Sequence, residues 1–231
     1  MAALAFTGAG AMAQEAPSTI EVKGMRDPQM QAYRGVWAGL DAFDKYRQLA
    51  PQAGPLQFRL RPRQDNQGAS IKGITLGIVG KGEAIPIAIG VDGLFRIDRI
   101  QAAYDDKADL VFNHKRYLFT AFAEVRTPGL PDNARRVGDL RLECQVNVAI
   151  VKTEIPFYIN VMANGVFGGS DWCSKIAVYR SIAREGLVKA TLVHGERRQD
   201  FSLNDIRDTI KIPDAEWPDD ALLELDYAPN P

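Results

Sequence analysis

Apolar residues recur at two different periods along this chain. Met30, Tyr33, Trp37, Leu40 and Phe43 follow one another at spacings of three and four, which places them on one face of a helix. Asp27-Pro28 precedes them. Asp accepts hydrogen bonds from the free N–H groups of a first turn, and Pro fits the first helical position. The spacing predicts one amphipathic N-terminal helix from Asp27-Pro28 to about Leu49, ended by Pro51, with Tyr33 and Trp37 anchoring it to a sheet.

From residue 56 the period becomes two. Leu56, Phe58 and Leu60 form a first alternating set, Ile74, Leu76 and Ile78 a second, and Ile85, Ile87, Ile89 and Val91 a third. Asp92-Gly93 then leads into Leu94-Phe95-Arg96-Ile97, a pattern that suits a tight hairpin. The polar stretch 98–109 reads as a loop or short helical turn, and Tyr117, Phe119, Ala121 and Ala123 resume the alternation. Leu140, Leu142, Cys144, Val146, Val148 and Ile150 make the longest period-two run. A helix is its rival, but six successive alternate apolar positions favour a strand. Val188, Ala190, Leu192 and His194 predict a strand, residues 197–203 its return, and Leu222 to Tyr227 a closing strand. The fold expected is mainly β: an antiparallel immunoglobulin- or transthyretin-like sandwich, single or double, with the one helix packed on it.

Two features bear on location. Met1 to Ala13 are uncharged and small or apolar, end in Ala11-Met12-Ala13, and precede a polar, Pro-containing segment. That ending suits a signal peptidase. No Lys or Arg precedes the apolar part, so two explanations compete: a true start upstream of Met1, which the small-x-small ending favours, or a disordered tail. The organisation expected is a signal peptide over 1–13, a helix-plus-β region over 14–127 and a second β-rich region over 134–231. The Pro128 to Asn133 loop lies between the two regions, which are also compatible with one continuous domain. An exported chain with two cysteines, Cys144 and Cys173, points to a structural disulfide and a periplasmic or extracellular protein.

Charge narrows the partners. Lys and Arg number 28 against 29 Asp and Glu, for a net charge of −1. No global field draws the chain to nucleic acid or anionic lipid. Arg59, Arg61 and Arg63 alternate with Leu60 and Pro62. They read as a solvated strand face, since a phosphate or nucleic-acid footprint needs many more cations. No apolar stretch is long enough to span a bilayer as a helix.

Candidate chemistry is sparse. The two histidines, His114 and His194, lack zinc-ligand spacing, and Asp105, Asp106 and Asp109 lack the rhythm of a calcium loop. Neither a metal nor a nucleotide cofactor is expected, because the Gly-rich phosphate-binding patterns are missing too. Gly168-Gly169-Ser170-Asp171-Trp172-Cys173 departs from the Gly-x-Ser-x-Gly elbow of a hydrolase. Its glycines read as permitting the turn that returns Cys173 to Cys144. Trp172, with Asp171, Ser170 and Asn164 on the same loop set, is the candidate ligand contact. The alternative for Trp172 is packing against the disulfide.

Several segments carry a resemblance. Leu56 to Leu60, Ile85 to Ile87, Val91 to Phe95, Gly138 to Cys144 and Trp217 to Leu225 resemble those of uncharacterised exported proteins of Gram-negative bacteria. The early hairpins also resemble a transthyretin-like or carboxypeptidase-regulatory-like β-sandwich. The first resemblance brings no activity; the second implies a non-catalytic module, by analogy of fold alone. The expectation is therefore a binding protein for an envelope protein, a glycan or a small ligand. The alternatives are an envelope-associated hydrolase using Ser170 and a histidine, or an assembly or inhibitor protein pairing strand edges with a partner.

Overall fold

The computed structural model describes residues 27–66, 68–156, 172–174, 187–201 and 216–228. The strands in these residues form three antiparallel sheets, and the chain is mainly β. A four-stranded sheet runs in the order β1 (Pro28–Ala32), β6 (Asp109–Lys115), β3 (Leu76–Val79), β4 (Ile85–Ile87). A three-stranded sheet runs β5 (Leu94–Phe95), β2 (Gln57–Pro62), β7 (Phe119–Glu124). A C-terminal sheet runs β10 (Arg197–Phe201), β9 (Leu187–His194), β11 (Leu222–Tyr227), β8 (Ala134–Arg136). Helices α1 (Tyr33–Lys45), α2 (Gln101–Asp105) and α3 (Val137–Glu154) and three short 3-10 turns complete the described elements.

Three expectations are corrected. Asp27-Pro28 does not open a helix: Pro28–Ala32 pair antiparallel with β6, Met30 opposite Val111, and α1 starts at Tyr33. The turn at Asp92-Gly93 forms, with Gly93 at φ +81° and its N–H donating to Gly90 O, but it does not close a hairpin. β4 and β5 belong to different sheets, so this turn carries the chain from one sheet to the other. Residues 140–150 are not a strand but the middle of α3, so α1 is not the single long helix.

The last correction has a simple geometric cause. A helix advances 100° per residue, so residues two apart lie about 200° apart, on opposite faces, while residues four apart share a stripe. Leu142, Val146 and Ile150 form one stripe of α3 and join the first apolar cluster. Leu140, Cys144 and Val148 form the opposite stripe and join the second. A helix buried between two cores therefore writes the same alternation as a half-buried strand.

The first cluster is shared by the four-stranded sheet (Leu76, Ile78, Leu110, Phe112), the three-stranded sheet (Phe58, Leu60, Phe95, Phe119) and α1 (Tyr33, Val36, Phe43). Gly35 and Gly39 let α1 approach α3 closely. A Cβ at Gly39 would stand 2.8 Å from Ile150 Cγ1, and one at Gly35 2.8 Å from Thr153 Oγ1. The second cluster joins α3 to the C-terminal sheet through Ala190, Leu192, Leu223 and Leu225, with Trp172 and Trp217. Residues 217–221 dock on the start of α3. Val137 N–H donates to Ala221 O at 2.9 Å, Gly138 N–H donates to Asp219 O at 2.8 Å, and Arg141 holds the Asp219 carboxylate and Trp217 O. Among the described residues no helix is long and apolar enough to cross a membrane.

Candidate functional site

Alternation along β2 turns Phe58 and Leu60 into the core and leaves Gln57, Arg59 and Arg61 on the opposite face. The register with β7 sets Gln57 opposite Glu124 and Arg59 opposite Phe122. Arg59 and Glu124 are thus diagonal neighbours on one face, close enough for long side chains to meet. They do so in bidentate fashion: Arg59 Nε donates to Glu124 Oε2, and Nη2 donates to Oε1 at 2.6 Å. Arg59 Nη1 reaches across to Asp92 O at 2.8 Å, which ties the turn before β5 to the same guanidinium. Arg61 Nη2 lies 3.5 Å from Glu124 Oε2.

This ion pair floors an open groove of about 850 Å³. Arg126 and Asp132 stand along it, while Ala69, Ser70, Ile71 and Leu94 supply mixed and apolar lining. Among the described residues three guanidinium groups and three carboxylates (Asp92, Glu124, Asp132) line it, so their formal charges balance. Glu124 is only 5% exposed. Burial alone would push its carboxyl up, but the Arg59 hydrogen bonds, with the Arg59, Arg135 and Arg61 charges, outweigh this and hold it below the usual carboxylate range. The floor of the groove is therefore a fixed pair of full charges.

The wall behind it is stiffened by α3. Strand β7 is the edge of its sheet, and an open edge leaves alternate N–H groups unpaired. Here side chains of α3 fill that row and continue it along the extended residues 125–127 that follow β7. Ala123 N–H donates to Asn147 Oδ1 at 3.0 Å, Val125 N–H to Glu143 Oε1 at 2.8 Å, and Thr127 N–H to Asp139 Oδ2 at 2.7 Å. The three acceptors are spaced four residues apart on the helix, about 6 Å, and the donors two apart on the strand, about 6.7 Å, so the rungs stay nearly in register. Arg135 donates to Val125 O at 2.9 Å and to Glu143, and both partners of that ion pair are buried. Burial pushes the Glu143 carboxyl up, with Arg135 and the Val125 N–H pulling it back. Burial pushes Asp139 up in the same way, opposed by Thr127.

Of the residues singled out from sequence, those that are described lie elsewhere. Cys144 and Cys173 form a disulfide, with Cα atoms 5.8 Å apart, that fastens the 3-10 turn Trp172–Ser174 to α3. Trp172 is 6% exposed in the second cluster beside that disulfide, with Lys152 Nζ 4.6 Å from its ring centre. Asn164, Ser170 and Asp171 lie outside the described residues. His114 is buried, its ring 5.2 Å from that of Phe112 and 4.8 Å from that of Phe119. His194 sits at the surface, 3.5 Å from Asp220.

The alternation that places Arg59 and Arg61 on one face was visible in the sequence, but their solvated state was not correct. Glu124 draws both into the groove floor, while the Arg63 guanidinium lies 5.6 Å from the ring centre of Tyr117. Glu124, Arg126, Asp132 and Asp92 were missed. Their only signal is Glu124, which continues the outward-facing positions Thr120 and Phe122 of β7. No known family, curated protein or solved structure matches this chain.

Proposed function

We propose that this chain is an exported, non-catalytic binding protein that takes its ligand in the groove on the three-stranded sheet. The observation that carries this reading is the Arg59–Glu124 pair, two full charges held in bidentate geometry at the floor of an open groove. Desolvating such a pair contributes little net stability, so stability alone is a poor reason to keep it there. A fixed array of donors and acceptors beside apolar lining is what orients a bound molecule. The four- and three-stranded sheets, which share one apolar cluster, serve as the sandwich-like scaffold, and the groove is built on that rigid support.

The location reading rests on the small-residue segment 1–13 together with the Cys144–Cys173 disulfide. Two features favour the groove over strand-edge pairing. The β7 edge is occupied by α3, and the β10 edge carries exposed Arg197, Arg198, Gln199 and Asp200, a charged row that resists added strands. The groove also offers a reachable contact surface, whereas Trp172 stands in the core.

The test is a thermal-shift screen of the oxidised protein against oligosaccharides, amino acids and short peptides, repeated on Glu124→Gln. Hits that stabilise the native chain and are lost in the variant, with its disulfide and far-ultraviolet spectrum intact, are expected. Hits that are equally strong in both proteins, or no hit in any class, would overturn the reading.

A further inference from the structure

Resting on that reading of the groove, we propose that its ligand is an extended polypeptide segment carrying both basic and acidic side chains. Shape comes first. The lining follows β2 from Gln57 to Pro62, and a strand of that length runs about 20 Å. The space is an open trough along a strand, not a closed cavity that would engulf a compact metabolite.

Charge comes second. Both signs stand side by side in the trough: Arg59 is paired with Glu124, Arg61 lies 3.5 Å from Glu124, Arg59 lies 3.7 Å from Asp92, and Arg126 and Asp132 also line it. A polyanion such as nucleic acid or a sulfated glycan would meet three carboxylates and gain little from counterion release. A segment of mixed charge meets groups of both signs there, and charge complementarity of this kind fixes register.

The lining chemistry comes third. Among the described lining residues none is aromatic, although Phe122 stands opposite Arg59 on the same sheet face, so a row of stacking platforms of the kind sugars and bases commonly use is not built into the lining. Small apolar surfaces are present instead at Ala69, Ile71 and Leu94. Beside them Val91 is fully exposed next to the lining residue Asp92. The turn that carries it is fixed. Gly90 N–H donates to Leu94 O at 2.7 Å, Gly93 N–H to Gly90 O at 2.9 Å, and Leu94 N–H to Asp92 Oδ1 at 3.1 Å. A Cβ at Gly93 would stand 2.6 Å from Leu60 O, so only glycine lets this turn sit so close to β2. A valine held in water on a rigid turn at the groove rim suits an apolar side chain of a bound chain.

The experiment is selection of a displayed library of random linear peptides on the full oxidised chain, with a glycan array and heparin as parallel arms. Enriched peptides should combine Lys or Arg with Asp or Glu. Synthetic copies should bind about tenfold or more weakly to Arg61→Glu and to Val91→Asp, and unchanged to Val188→Asp, an exposed position on β9. Val91→Asp guards against a folding artefact, because the native side chain touches nothing. Three results would overturn the peptide assignment: enrichment of purely acidic peptides, binding to glycans or heparin alone, or peptide binding indifferent to both variants. Glycan or heparin binding that is lost in Arg61→Glu would sink the peptide class and leave the groove as the binding site. Failure to bind in every arm would sink both.

Discussion

The Val125 N–H, one residue past the end of β7, donates to Glu143 Oε1 of α3 at 2.8 Å, and the same oxygen accepts from Arg135. One buried carboxylate therefore closes a sheet edge and balances a buried guanidinium. Removing it leaves Arg135 desolvated without its partner and Val125 N–H unpaired, and breaking a buried pair in this way costs about 3–5 kcal/mol. Urea denaturation of Glu143→Ala should show a loss of that order. Glu143→Gln keeps an acceptor for Val125 and should lose less. Asn147→Ala, which removes only the neutral rung to Ala123, should cost about 1–2 kcal/mol. Equal stability of Glu143→Ala and the native chain would show that the ladder is not needed to hold the edge.

Much of the sheet structure could be read from alternation; β2 and β11 each bury one face, while β3 and the middle of β9 are buried on both faces and were found from their apolar positions. Helix α3 was misread for a physical reason. Alternation is diagnostic only when one side of an element is buried, and α3 is buried on two opposite sides with a polar row between them. Asp139, Glu143 and Asn147, at spacings of four, are the signal that separates the readings. On a strand Asp139, Glu143 and Asn147 would all share one face with Arg141 and Gln145, whereas on a helix Asp139, Glu143 and Asn147 alone align toward β7. The groove was half legible. Period two puts Arg59 and Arg61 together, but their partner Glu124 depends on the register between strands more than fifty residues apart, which no local pattern carries.

Gly138 tests how closely the start of α3 packs on Leu49 and on the C-terminal segment. A Cβ there would run into the backbone carbonyl of Leu49 and stand 3.0 Å from Asp219 O. Backbone cannot move aside as a side chain can, so Gly138→Ala should destabilise strongly, beyond the roughly 1–3 kcal/mol of ordinary overpacking. Gly39→Ala meets only side chains, Ile150 and, at 3.3 Å, Val146, and the better helix propensity of Ala returns about 1 kcal/mol. It should therefore cost clearly less. Comparing the two melting temperatures decides whether the α3 start or the α1 contact is the tighter constraint.

The Cys144–Cys173 bond closes a loop with a sequence separation of 29. In the chain-entropy account a loop of this size is worth about 3–4 kcal/mol. Cys144→Ala and Cys173→Ala should lower stability by similar amounts, and reduction of the native protein should match them. Alkylation followed by mass measurement on the oxidised protein should find no reactive thiol. Two labelled cysteines would contradict the bond.

His114 makes stability depend on pH with a definite sign. Its Nδ1 lies 2.9 Å from Lys115 O, and since a carbonyl only accepts, Nδ1 carries the proton. Its Nε2 is buried without a hydrogen-bond partner among the described residues. Burial pushes the imidazole below its ordinary value of 6.5, against the smaller opposing effect of the Lys115 carbonyl. Above pH 6.5 both the folded and unfolded forms are neutral at this site, and it leaves stability unchanged. Below that value the unfolded chain takes up the proton first, so stability falls as pH drops toward the folded pKa, by at most about 1.4 kcal/mol per pH unit. His114→Phe places an apolar ring against Phe112 and Phe119 and removes this proton. Urea midpoints of the native chain should fall more steeply than those of the variant between pH 7.5 and 5. Parallel slopes would mean that the buried imidazole gains its proton as readily folded as unfolded.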